Sequence, residues 1–386
     1  MSILALLAML IPGLAWWAWL GRREQDPMVS LAQIFGVSLA LISLLAEGIF
    51  LLGGSFSLAG LLALLACFLG IAIFGLIHRR LKFPKKYKYH LLIGLAFFGL
   101  TIGWRLFQAR DLLLPNWVDS QHHYLIVRVI LDKGGLPETL EPYLPVPFYY
   151  HYGFHAAAAL FAALSRLSIG DAMLFFGQIL NAAISLSVYA LGKALWRDWR
   201  PAAAGALLVS FATRMPAYYL SWGRYTLITG LILLPLAMGL ALRLLRKNLQ
   251  KRESLTLGLL TAGVLFSHYF AGALLALFLV LLAVVYLIPR WDRPLTALLR
   301  FSAVPIGAVL GLIFAAPWLL RVVRFSTAST QVSVNLPSSM ESIFDAGRWN
   351  YIWQLLSPAS NHWLLLAAGL GLILGLITKK MTCFAL

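Results

Sequence analysis

Runs of about twenty apolar residues recur from one end of this chain to the other, and they leave little choice of architecture. Hydrocarbon offers no water to satisfy peptide N–H and C=O groups, so a spanning segment must be a helix or part of a closed barrel. Barrel strands read as segments of about ten residues with alternating polarity. The stretches here are unbroken instead, as in "LLALLACFLGIAIFGLI" (61–77). With 61% hydrophobic residues among 386 and a mean hydropathy of +0.84, the apolar surface exceeds what a soluble core absorbs. The chain reads as an all-α polytopic membrane protein. Spans are expected near 2–20, 28–52, 56–77, 90–108, 172–192, 201–213, 226–245, 255–270, 272–289, 302–319 and 363–378, about eleven in all. No small-residue cleavage site follows residues 2–20, so they read as a span rather than a removed leader. Cys67 and Cys383 lack the spacing of a disulfide framework or a zinc site.

The net charge of +17 fits cytoplasmic loops of a membrane protein, and no nucleic-acid partner is expected. "HRRLKFPKKYKYH" (78–90) is the densest basic run and is assigned to the inside. Alternation then puts 109–171, 214–225 and 320–362 outside, with the N-terminus outside and the C-terminus inside. "FYYHYGFHAAAALFAALSRL" (148–167) is apolar enough to pass for a span, but crossing would turn the basic "RLLRKNLQKRES" (243–254) outward. It therefore reads as a helix lying on the outer surface. Segment 109–171 gains two helices, about 119–133 and 150–166, joined by a proline-rich stretch. In 320–362, a polar loop precedes an interfacial helix around 346–356.

Six of the eight histidines fall at or near the outer face in this topology: His122, His123, His151, His155, His268 and His362. Asp119 opens a helix, with His122 and His123 at i+3 and i+4 and Ile126 and Ile130 continuing that face. Capping alone would explain the aspartate, but a carboxylate beside imidazoles also suits a base or a metal ligand. His151 and His155 share a face at i, i+4, where they would line a groove, pack at the interface or bind a metal. Gly153 between them permits close approach of another backbone or a ligand. Arg214 and Arg224 in "TRMPAYYLSWGRYT" (213–226), with Arg321 beyond, suit phosphate binding or snorkelling to headgroups. Lone charges within spans are nearly absent apart from Glu47, which speaks against ion-coupled transport.

The motif "VDSQHHYLIVRVILDKGGLP" (118–137), after the helix-ending Arg110 and Asp111, resembles the first extracytoplasmic loop of the GT-C superfamily of membrane glycosyltransferases. "FYYHYGFHAAAALFAAL" resembles that loop's second juxtamembrane helix, and 181–240 the hairpin that follows. The resemblance covers roughly 90–320 and is nearest to uncharacterised bacterial GT-C-like proteins. It implies a GT-C-like bundle with extracytoplasmic juxtamembrane helices, divided into an N-terminal extension (1–89), a catalytic core (90–320) and an outer loop with the last span (321–386). It also implies a bacterial or archaeal plasma membrane, an active site facing outside, and inverting transfer from a polyprenyl-phosphate-linked sugar to a cell-envelope glycan, lipid or protein. Asp119 takes the position of the family's acidic residue. Two departures are visible: Ser120 follows Asp119 where many members have a second acidic residue, and the given sequence ends soon after its last expected span, where many members carry a soluble domain. Substrate contacts are expected from His122, His123, His151, His155, Arg214, Arg224 and Arg321. No cofactor is required, although a divalent metal remains possible. A non-catalytic exporter or scaffold for lipid-linked saccharides is the rival reading. Partners are the lipid-linked donor and membrane lipids; the oligomeric state is left open.

Overall fold

The computed structural model describes residues 2–20, 26–79, 86–246, 251–290 and 292–329, together with Trp363, Leu366, Gly369, Leu370 and Ile373. Among these residues the protein is helical throughout, with one isolated β-bridge, Thr139–Pro147. Eight helical runs among the described residues are long and apolar enough to cross a membrane: 2–20, 27–51, 58–78, 88–108, 169–196, 225–245, 269–290 and 294–326. Two of the other expected spans coincide with shorter helical stretches among the described residues. One is α9 (Trp199–Leu207) with its continuation, a π-helical turn Leu208–Ala212; the other is α12 (Lys251–Ser267). The expected span at 363–378 falls almost wholly outside the described residues, as do the helix at 346–356 and His362.

The first span is broken. α1 (Ser2–Met9) and α2 (Ile11–Leu20) meet at Leu10, two residues before Pro12, which has no N–H to continue the ladder. α3 (Pro27–Leu51) starts from Asp26, whose carboxylate accepts the Met28 N–H at 2.9 Å. α4 (Leu58–Arg79) and α5 (Lys86–Gln108) follow, then α6 (Val118–Lys133), α7 (Gly153–Ser165) and α8 (Ile169–Trp196). After α9 come the short α10 (Ala217–Ser221), α11 (Tyr225–Leu245), α12, α13 (Tyr269–Leu287), α14 (Pro294–Phe301) and α15 (Ala303–Ser329).

Residues 1–319 form one compact unit and 320–386 a second. In the first, α8 and α11 pack along each other at the centre, with α3, α12, α7 and α13 around them. The helices of the first 89 residues belong to this unit, since α3 packs on α7, α8 and α12. α4, α5 and α13 present Ile93, Leu100, Phe74 and Val280 at the surface, each at least 60% exposed. Such wide apolar faces suit lipid as the solvent, and the protein is an integral membrane protein of the all-α polytopic class.

Three expectations change. α7 does not lie on a surface: it is wedged among α3, α6 and α8, with Phe154, His155, Ala157 and Phe161 fully enclosed. Its alanine run makes a thin helix that neighbours approach closely, and its 13 residues span only about 20 Å, short of a crossing. α15 continues as helix to Ser329, where a loop from 320 was expected. Glu47 is not alone as a charge inside a span, because Arg105 of α5 is also buried. Glu47 ties α3 to α15 by accepting the Trp318 N–H at 2.9 Å.

A histidine cluster beside an aspartate–arginine pair

Four histidines meet at one end of the first unit. His123 comes from the buried face of α6, His151 from the loop before α7, His155 from the first turn of α7, and His268 is the single extended residue between α12 and α13. Nδ1 of His123 lies 2.8 Å from Nε2 of His155, and the His151 and His268 rings are 4.7 Å apart. Tyr150 stacks obliquely on His151 at 3.7 Å, and Tyr269 meets the same ring edge-on at 5.0 Å. Phe154 and Tyr225 close the other side of His123.

Two glycines permit this convergence. A Cβ on Gly153 would stand 3.1 Å from the Phe266 carbonyl and 2.8 Å from Ser267 Oγ, so α7 enters against the end of α12 only without a side chain. Gly223 has φ +64° and lies against α6, where a Cβ would be 2.8 Å from the Ser120 amide nitrogen and 3.1 Å from Asp119 Cβ. A side chain at Gly223 would meet both left-handed strain and a backbone clash. Gly223→Ala is expected to destabilise the protein by about 2 kcal/mol or more, measured by chemical unfolding in detergent. A neutral outcome would mean that the 221–225 turn does not seat on α6.

Asp119 is not the helix cap. α6 begins at Val118 after Trp117, without a side-chain cap, and Asp119 sits in the first turn, where the helix dipole favours a carboxylate. Its Oδ2 is 3.3 Å from Nη1 of Arg224, and both side chains are partly open to solvent (36% and 49% exposed). Such a pair contributes little stability, but it sets an acceptor and a cation side by side at an accessible point.

The imidazoles are held neutral. Burial pulls His123 down to about 4, despite a hydrogen bond to the Gly223 backbone, and neighbouring His122, Arg224 and His268 add to the effect. Burial, then Arg224, brings His268 to about 4. His151 and His155 are lowered too, chiefly by burial. Between His123 Nδ1 and His155 Nε2 one nitrogen donates and the other accepts, and the tautomers set which.

The other expected residues separate. His122 points to solvent although His123 is buried, so only the i+4 neighbour shares the inward face. Ile126 and Ile130 are buried on that face, as expected. Arg214 is not at the Asp119–Arg224 pair: it lies over the Tyr218 ring at 3.7 Å and lines a different cavity. Arg321 belongs to the second unit, on α15 rather than at the base of a loop, with its guanidinium 4.9 Å from the Phe325 ring. Among the described residues, no three His, Cys, Asp or Glu side chains are grouped to hold a metal ion. Sequence reading passed over Tyr150, Tyr225 and Arg105. Arg105, an arginine inside an apolar run, was the one with a legible signal. Farther along α6 and α7, a cavity of about 200 Å³ is lined almost entirely by apolar side chains, among them Ile42 of α3, Leu61 of α4, Ile130 of α6 and Ala159 of α7; none of the four histidines lines it.

The fold and site thus define a polytopic helical membrane protein with a buried imidazole cluster and an exposed carboxylate–guanidinium pair at one end. The chain belongs to the family of unknown function DUF6541, whose model matches residues 6–382. Comparison with curated proteins gave no match, and comparison with solved structures gave none.

Proposed function

We propose that the protein is an inverting glycosyltransferase that takes a sugar from a polyprenyl phosphate at the extracytoplasmic face. The observation that carries this reading is the Asp119–Arg224 pair, accessible to solvent and 3.3 Å apart, at the rim of the neutral imidazoles. Asp119 receives the proton of an acceptor hydroxyl as its oxygen bonds to the anomeric carbon. The bond from that carbon to the phosphate oxygen breaks on the opposite side, and the electron pair leaves with the lipid phosphate. Arg224 meets the growing negative charge. The histidines, being neutral, serve as hydrogen-bonding groups for the sugar or the acceptor rather than as cations. The apolar cavity between α3, α4, α6 and α7 supports a lipid carrier, since it opens among the helices that bear the cluster. The acceptor is a hydroxyl of a cell-envelope glycan, lipid or protein.

Purified protein incubated with polyprenyl-phosphate-linked sugars and envelope acceptors is expected to release free polyprenyl phosphate with transfer of the sugar. Release that never occurs with any such donor would favour a non-catalytic handling role. Orientation is tested separately: His122→Cys, at an exposed position on the carboxylate's helix, should react with an impermeant maleimide added to intact cells. Labelling only after lysis would place the site in the cytosol and end the proposal.

A further inference from the structure

The second cavity has a volume of about 360 Å³ and lies between the C-terminal end of α5, the start of α8 and the segment 211–225. Among the described residues its charged lining is Arg105 and Arg214, with Gln108, Gln178, Thr213 and Asn116 among the polar ones, and no Asp or Glu. Arg105 is 2% exposed. Nη1 donates to Gln108 Oε1 at 3.0 Å and Nη2 to the Val209 carbonyl at 3.1 Å, while Nε, also buried, has no partner. Among the described residues neither Arg105 nor Arg214 has an ion-pair partner.

An arginine at the end of a span ordinarily reaches outward to lipid headgroups. Arg105 instead turns into the protein, where a cation without a counter-charge is costly. Neutral acceptors satisfy two of its donors but leave its charge uncompensated. The Val209 carbonyl it uses sits in the π-helical turn Leu208–Ala212, an irregularity that recurs at functional sites. Two guanidinium groups with amide and hydroxyl companions match the donor-rich recognition of a phosphoryl group.

We infer that the cavity lined by Arg105 and Arg214 is a phosphate-binding site, distinct from the Asp119–Arg224 pair. Tyr225 separates the two, lining this cavity while its ring meets His123 edge-on at 5.9 Å. The phosphate is a lipid headgroup or a soluble phosphoryl compound; both present the same oxygens. The inference concerns binding alone and does not depend on glycosyl transfer.

The test is thermal unfolding of the full chain in phosphatidylcholine nanodiscs, with inorganic phosphate titrated in or phosphatidic acid mixed into the bilayer. The wild type is expected to be stabilised by at least one of these, with the response weakened about tenfold or more in Arg214→Gln and Arg105→Gln. Stabilisation by inorganic phosphate identifies a soluble source; stabilisation by phosphatidic acid alone identifies the headgroup. Arg128→Gln, which removes an exposed α6 arginine paired with Asp132 outside both sites, should respond as the wild type does. If Arg105→Gln does not purify as a folded species, Arg214→Gln decides. The inference is overturned if neither probe stabilises the wild type, if Arg214→Gln responds unchanged, or if Arg128→Gln loses the response as fully as Arg214→Gln does.

Discussion

Asp119→Asn is expected to lower sugar transfer from a polyprenyl-phosphate donor by about 10²–10⁴-fold, the usual contribution of a positioned general base. Asparagine keeps the size of the side chain and an oxygen able to accept from Arg224, so the α6 first turn should persist. What it loses is the capacity to take a proton from the attacking hydroxyl. The loss should therefore appear in kcat, while donor affinity, which depends on Arg224 and the apolar cavity, changes little. Gel filtration and thermal unfolding of the variant should match the wild type. Full transfer activity in Asp119→Asn would remove the aspartate from the chemistry and leave the pair as a structural contact.

Acidification is expected to destabilise the protein steeply between about pH 6.5 and pH 4. An unfolded histidine takes up its proton near 6.5, whereas His123 and His268 in the folded protein wait until about 4. In that window the unfolded state holds more protons, so stability is whole above 6.5 and falls as pH falls. For His123 alone the difference is on the order of 3 kcal/mol. His151 and His155, lowered by the same burial, act in the same direction. The midpoint of thermal unfolding in detergent, followed from pH 7.5 to 4, should drop across the window, and His123→Gln should flatten part of the slope. A flat wild-type profile would mean that the imidazoles are protonated, or reached by water, in the folded protein.

Much of the candidate site was legible before folding was considered, but unevenly. The four histidines of segment 109–171 are a local property, and Asp119 stood out because few acidic residues interrupt the apolar pattern. His122 and His123 were indistinguishable in sequence, being adjacent on an amphipathic helix. Packing of α6 against α7 chose His123 for the interior and left His122 in solvent. Arg214 and Arg224, ten positions apart, looked like partners. The turn built on Gly223 and α10 sends one to Asp119 and the other over Tyr218 into a separate cavity.

The sequence by itself determined the helical, membrane-embedded class of this protein. Hydrocarbon imposes that outcome on any segment of sufficient apolar length, whatever its neighbours. It also determined most helix positions, since their limits fall at prolines, glycines and charged runs. Only the tertiary structure decided that α7 is enclosed rather than surface-bound, that His268 joins histidines more than a hundred residues earlier in the chain, and that Arg105 faces inward. Each of these depends on which faces of distant helices meet. Close backbone approach at residues such as Gly153 and Gly223 sets that choice, and no local pattern encodes it.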